Sequence, residues 1–174
     1  MVATPKPAAH ADDDYVPPSF PQAHLLWHIA KKGFQAGSFG GVAVSGAVAL
    51  ATRNRDPGAF LRGVGYGALA GTALSTGLGA AKFTQITKEG FHDRVYRLHY
   101  NASQQRTDAF SWAGGLLGLV AAGLLLPEGG PGWAAAMVGG GGVGSVLGVL
   151  THVATRPADQ VYPNKALHEL VRDD

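Results

Sequence analysis

Long apolar stretches separated by short charged segments dominate the chain. From Gly33 onwards, four of these stretches run for 18 or more residues without Asp, Glu, Lys or Arg. About 20 residues of α-helix, each rising about 1.5 Å, cross the roughly 30 Å hydrocarbon core of a bilayer. The pattern therefore predicts an all-α integral membrane protein with four spans, at about 33–52, 60–81, 109–126 and 133–155.

The connections between the predicted spans differ in length. Asp56-Pro57-Gly58 follows the first span and PEGGPG, from Pro127, follows the third; both are tight-turn signals. The spans should therefore pair as two antiparallel hairpins. The connection between the hairpins, residues 82–108, is longer, polar and aromatic. We expect a helix near 88–100 within it, because its apolar side chains recur on one helical face.

Two tails flank the predicted four-helix domain, 33–155. The N-terminal tail, 1–32, contains many prolines and three consecutive aspartates. We expect it to run extended along a partner, because it has too little apolar surface to fold alone. The tail should end in a short amphipathic helix that places Trp27 at the membrane interface. The C-terminal tail is 156–174.

Glycine recurs at every fourth position in each predicted span. Spacing four keeps residues on one helical face, so each helix presents a stripe of bare backbone. Helix association in lipid depends on close van der Waals contact, which small residues allow. This predicts a glycine zipper, although glycine richness alone, with 26 glycines in the chain, would also create some such pairs. The predicted helix-packing residues are Gly33, Gly37, Gly41, Gly63, Gly67, Gly71, Gly114, Gly118, Gly140, Gly144 and Gly148.

Composition excludes several classes of protein. A hydrophobic content of 46% is too high for a disordered chain, and the glycines lack the three-residue period of collagen. The chain has no cysteine, which excludes disulfides, thiolate metal sites and a cysteine nucleophile. A net charge of +2 is too small to indicate a nucleic-acid partner.

The distribution of basic residues predicts an orientation. With four spans, the two tails and the middle connection share one side of the membrane and hold eleven of the fourteen Lys and Arg residues. The positive-inside rule then places the termini in the matrix or the cytoplasm.

No catalytic, cofactor or metal site is evident in the sequence. His24 and His28 could share a metal on a helix, but an amphipathic lead-in helix explains them better. Residues 139–144 satisfy GxGxxG, and Asp159 follows at the dinucleotide-binding spacing, but the motif lies inside an apolar helix with no strand before it. His152 lies near the end of the last span, either as a proton-relay group or, our preferred reading, at the interface.

The middle connection is the best candidate for a docking surface. Basic and aromatic side chains beside a bilayer bind lipid head groups or a neighbouring subunit, whereas a solvated loop is the plainer reading. We expect phospholipid or cardiolipin, rather than a cofactor, as any bound small molecule. The candidate docking residues are Arg94, Arg97, Tyr100 and Arg106.

Four glycine-striped spans joined by a basic turn resemble the mitochondrial preprotein and amino-acid transporter family, the inner-membrane translocase fold. The resemblance covers roughly 33–154. That family places three residues between an arginine and an aspartate after the first span, whereas Arg53 and Asp56 are separated by two. The resemblance implies a component of protein import or a solute channel.

A second resemblance is to the small accessory membrane-arm subunits of mitochondrial NADH:ubiquinone oxidoreductase (complex I). It rests on GFQAG from Gly33, on RVYRLHYNASQQRTD at 94–108 and on the small cysteine-free chain. It implies a multi-pass protein of the mitochondrial inner membrane without a redox centre. Such a subunit stabilises or assembles the membrane arm together with other membrane subunits and lipids. We prefer this reading to the translocase alternative.

Overall fold

The computed structural model describes residues 15–126, 130 and 132–156. Within these residues the fold is all-helical, as predicted, and contains no strand. Residues 1–14 of the predicted N-terminal tail and 157–174 of the C-terminal tail lie outside the described residues. The helices are α1 (Pro21–Thr52), α2 (Pro57–Phe83), α3 (Lys88–His99), α4 (Ala102–Leu125) and α5 (Trp133–Ala154).

Three helices of the described chain are long and apolar enough to cross a membrane: α1, α4 and α5. They indicate a membrane protein. The predicted second span forms helix α2, but α2 does not reach the same hydropathy. Between Gly63 and Gly79 its glycine, serine, threonine and tyrosine residues dilute the aliphatic ones. Its uncharged length therefore made α2 look more apolar than it is.

The four long helices form two antiparallel pairs, α1 with α2 and α4 with α5. The pairs meet where α2 packs in parallel against α5, and α5 also contacts α1. Half of the most apolar part of α5 is buried inside the protein, against about a tenth for α1 and α4. Thus α5 is the central helix of the bundle.

Side-chain caps set several helix boundaries. Asp56 accepts hydrogen bonds from the backbone N–H groups of Gly58 (2.9 Å) and Ala59 (3.1 Å) at the start of α2. Thr87 caps α3 and Asn101 caps α4 in the same way. Such caps satisfy N–H groups that have no partner within the helix. The middle connection is therefore mostly helical, and α4 begins seven residues before the predicted span at 109.

The predicted interfacial helix and the first span are one continuous 32-residue helix, α1. At about 1.5 Å per residue it is about 48 Å long, well beyond the hydrocarbon core. Its first turns pack on α3, where Leu25, Phe91 and Val95 are buried together. The amphipathic face expected for 88–100 is this buried face of α3. We call the end of the bundle where α3 lies the α3 end.

The first turn of α3 contains one acidic residue, Glu89. The Glu89 carboxylate accepts hydrogen bonds from its own backbone N–H and from the Thr87 hydroxyl, and these bonds hold the pKa of Glu89 below its ordinary value. A carboxylate in the first turn also complements the positive end of the helix dipole.

Candidate functional site

The glycine stripes of α1 and α2 face each other. A β-carbon on Gly71 would lie 2.6 Å from the Gly37 α-carbon, and one on Gly67 would lie 2.8 Å from the Gly41 α-carbon. Real β-carbons essentially never come within 3.0 Å of such atoms. Alanine at these positions would therefore force the two backbones apart.

The stripes of α4 and α5 make an equivalent contact. A β-carbon on Gly140 would lie 2.6 Å from the Gly118 carbonyl oxygen, and one on Gly114 would lie 3.2 Å from the Gly148 backbone nitrogen. Every one of the eleven predicted helix-packing glycines has an atom of a neighbouring helix within 3 Å of the place where its β-carbon would stand. By contrast, Gly40 has no atom within 4 Å of that place.

The contact between α2 and α5 depends on two glycines that the sequence analysis did not select. A β-carbon on Gly65 would overlap the Ala135 carbonyl oxygen, and one on Gly139 would overlap that of Leu61. Gly139 begins a run of four consecutive glycines, in which spacing four does not single out one helical face. A search for a second glycine face within that run would have selected Gly139.

Three serines are buried between the helices. The hydroxyl groups of Ser111 on α4 and Ser145 on α5 are hydrogen-bonded at 2.6 Å. The Ser38 hydroxyl donates to the Phe34 carbonyl of its own helix at 2.7 Å. These short polar side chains fit into close helix contacts and satisfy each other or the backbone, as polar groups in lipid must.

A polar cluster joins α1 to α4 at the α3 end. The Asp108 carboxylate accepts hydrogen bonds from Lys31 (2.6 Å) and Lys32 (2.7 Å). Gln104 also donates to it, at 2.9 Å, and the His28 ring lies 3.8 Å away. The Asp108 side chain is only 13% exposed, so these charges are held in a partly desolvated place. The cluster joins the N-terminal half of α1 to the first turns of α4, two helices whose backbones make few contacts with each other.

A stacked pair of tryptophans lies on the same two helices. The Trp27 and Trp112 ring centroids are 5.9 Å apart, and both side chains are about half exposed. Trp27 was expected at the membrane interface. Aromatic side chains with a polar N–H favour that depth of a bilayer.

Arg106, a predicted docking residue, is occupied inside the protein. Its guanidinium donates to the carbonyl oxygens of His152 (3.3 Å) and Thr155 (3.2 Å) at the C-terminus of α5. It also lies 4.6 Å from the centre of the Phe110 ring. Because a cation satisfies the last carbonyls of a helix, Arg106 holds α5 to α4. His152 is 3% exposed, so it is packed inside the bundle in the last turn of α5.

The other predicted docking residues remain on the surface of α3 or beside it. Arg97 pairs with Asp93 one turn away, at 3.0 Å, with most of its side chain exposed. Tyr100 belongs to an aromatic cluster with Tyr15, Tyr96 and His99. This cluster joins the start of the described chain to the end of α3.

Metal-binding geometry was not found in the described part of the chain: it has no group of three or more His, Cys, Asp or Glu side chains that could hold an ion. The GxGxxG match at 139–144 lies in the middle of α5, where its glycines contact neighbouring helices. Asp159, the acidic residue of that match, lies outside the described residues.

Comparison with known families gives one match. Residues 16–156, more than two thirds of the chain, match the family described as "Protein of unknown function (DUF1757)". The chain belongs to this family. The matched region of this DUF1757 protein includes all five helices, the polar cluster and every glycine contact described above. No curated protein and no solved structure matches it.

Proposed function

We propose that this DUF1757 protein is a non-catalytic structural subunit that spans a membrane four times, through α1, α2, α4 and α5. The observation that carries the proposal is the backbone-to-backbone packing at three helix pairs. Glycine in a water-exposed helix costs about 1 kcal/mol relative to alanine. Repeated glycine is an advantage where bare backbone lets helices approach closely in lipid.

The second span of this proposal, α2, is the least apolar. It is held between α1 and α5, and both of its glycine faces are used there. Its outward side chains are large and apolar, including Leu69, Leu74 and Leu78. A helix of moderate hydropathy can cross a bilayer when its backbone faces protein and its leucines face lipid.

The buried polar side chains support a structural role. Ser111 and Ser145 bond to each other, and Ser38 bonds to its own helix. Arg106 and Asp108 serve as links between helices. Each of these groups therefore holds the bundle together, and none is presented to a substrate.

We place the subunit in the mitochondrial inner membrane, in a respiratory complex, with complex I as our choice. The support is the resemblance of GFQAG and of 94–108 to accessory membrane-arm subunits. In that membrane, the positive-inside rule would place the termini in the matrix. The exposed leucines of α2 and α4 would contact lipid or other membrane subunits. The subunit would stabilise or assemble the membrane arm.

Blue-native electrophoresis of digitonin-solubilised membranes tests this proposal. A tagged chain should migrate with complex I, at the band that stains for NADH dehydrogenase activity. The Gly41→Val variant, which disrupts the α1–α2 contact, should leave that band, while the neighbouring Gly40→Val variant should stay. Migration of the unaltered chain as a free small protein would refute the proposal. Ion conductance of the purified chain in planar bilayers would instead favour the import or channel alternative.

A further inference from the structure

A long apolar groove runs along the outside of the bundle between α4 and the first turns of α2. Its cavity volume is about 1060 Å³, and α5 forms its floor. Phe110 and Thr151 line one end, and Leu126 and Trp133 line the other. Several of the lining residues are glycines. Because glycine has no side chain, the groove is deeper at these positions than it would be with leucine there.

The end of the groove far from α3 is polar. Arg62 and Trp133 both line it, and the aliphatic part of Arg62 packs over Gly132. The Trp133 Nε1–H group is buried and has no hydrogen-bond acceptor among the described residues. A buried donor without an acceptor is unfavourable, so an acceptor bound at this end of the groove would be stabilised by the indole N–H group.

The charge at this end favours an anionic acceptor. The segment 53–62 holds three arginines and one acid, Asp56, whose carboxylate already caps α2 and lies 3.4 Å from Arg62. Arginine forms directed hydrogen bonds with phosphate oxygens. At the edge of an apolar groove, the abundant phosphates are those of membrane lipids.

The size of the groove suits lipid acyl chains. Trp133 and Thr151 are 18 residues apart on α5, which is about 27 Å of helix. Spread over that length, the volume of about 1060 Å³ gives a mean cross-section of about 40 Å². Methylene chains pack about 4 Å apart, so two acyl chains fit side by side.

We propose that this groove binds the acyl chains of an anionic phospholipid, whose phosphate accepts hydrogen bonds from Arg62 and from the Trp133 indole. Acyl chains of one leaflet reach about 15 Å, half of the hydrocarbon core, so they occupy the half of the groove next to Arg62. The inference requires that the chain lies in a bilayer. It does not depend on which complex contains it, so the electrophoresis above and the lipid test below fail independently.

Quenching of Trp133 fluorescence by brominated lipids tests the site. The variant Trp27→Phe, Trp112→Phe leaves Trp133 as the single tryptophan of the chain. In mixed vesicles of phosphatidylglycerol and phosphatidylcholine, with first one and then the other lipid brominated, the ratio of quenching gives the relative affinity of the two lipids. We expect about a fivefold preference for phosphatidylglycerol, the effect of one basic residue near a head group. Equal quenching by the two lipids would overturn the proposal.

Paired variants separate the site from general effects. Arg62→Gln should abolish the preference, while Arg55→Gln, at the same end but outside the groove lining, should keep it. Ala121→Phe, which fills the proposed half of the groove, should reduce quenching by both lipids. Ala70→Phe, an equal substitution at an exposed position outside the groove, should not. If Ala121→Phe leaves quenching unchanged, the chains lie elsewhere and the proposal is wrong.

Two further measurements use chains with native tryptophans. Native mass spectrometry of the unaltered protein should detect retained phosphatidylglycerol, at several times the amount retained by Arg62→Gln. Ala121→Cys would be the single cysteine of the chain. If it cross-links in native membranes to another polypeptide, or to a terminal tail of this chain, a protein segment occupies the groove, and the lipid proposal is wrong.

Discussion

Gly65 on α2 and Gly139 on α5 face each other so closely that a β-carbon on either would lie 3.0 Å from the backbone nitrogen of the other. This contact joins the two antiparallel pairs into one bundle. Because α2 and α5 run parallel here, each absent β-carbon would also meet a carbonyl oxygen one turn earlier on the partner helix. No rotamer change can relieve a clash between a β-carbon and a backbone.

Gly139→Ala should therefore destabilise the protein by about 1–3 kcal/mol, the usual effect of overpacking a close contact. The matched control is Gly77→Ala on α2, where nothing lies within 4 Å of the β-carbon position. The control should be neutral or stabilising, by up to about 1 kcal/mol, because alanine has the higher helix propensity. Thermal unfolding in detergent micelles measures both. Equal losses in the two variants would contradict the described contact.

Two adjacent glycines of α1 give a second comparison. Gly41 packs on Val64, with its β-carbon position 2.9 Å from the Val64 α-carbon, whereas Gly40 faces open space. Gly41→Ala should lower the unfolding temperature, and Gly40→Ala should leave it unchanged or raise it. Because the two substitutions are identical and one residue apart, a loss of stability at Gly40 but not at Gly41 would show that α1 is rotated from the described orientation.

The hydrogen bond between Ser111 and Ser145 predicts a non-additive pair. Ser111→Ala leaves the buried Ser145 hydroxyl without a side-chain partner, and the reverse substitution does the same for Ser111. Interhelical hydrogen bonds in membrane proteins contribute about 0.6 kcal/mol on average. A double-mutant cycle on unfolding free energies should give a coupling of about that size. Strictly additive losses would mean that the two hydroxyl groups do not interact.

Asp108→Asn tests the polar cluster. The substitution leaves the ammonium groups of Lys31 and Lys32 without their counterion in a partly buried place. Hydrogen bonds to charged groups contribute about 1.5–3 kcal/mol, and we expect a loss near the lower end of this range. Asp93→Asn removes an exposed ion pair with Arg97 and should change stability by less than about 0.5 kcal/mol. The two losses, compared by chemical denaturation in detergent, should differ clearly; similar losses would contradict the role of the cluster.

Helices and glycine stripes could be predicted because they are periodic features of one segment. Spacing four reveals which glycines share a face, but not which helix that face meets. In the run 139–142, adjacent glycines contact different helices: Gly139 meets α2, Gly140 meets α4, and Gly142 meets Ser38 of α1 and Val64 of α2. The spacing-four pattern describes a single helical face, so it selects only one of these contacts.

Contacts distant in sequence were also beyond the sequence analysis. Lys31 and Asp108 are 77 positions apart, and Arg106 and His152 are 46 apart. Each looked like an isolated charge beside a span, and Arg106 was therefore predicted to dock a partner or lipid. Only the folded arrangement of α1, α4 and α5 brings these side chains together. The first turns of α4 are polar, and the sequence analysis assigned them to the middle connection because a hydropathy pattern does not detect a helix start marked by a capping residue such as Asn101.

The central claim is that all four long helices cross a membrane, including α2. Cysteine labelling tests it directly, because the chain has no native cysteine. Arg55→Cys lies between α1 and α2, and Lys88→Cys lies at the start of α3, both exposed. In sealed, oriented membrane vesicles a membrane-impermeant maleimide should label one of these cysteines from outside and the other only after permeabilisation. Labelling of both cysteines from the same side would mean that α2 does not cross, and would contradict the account.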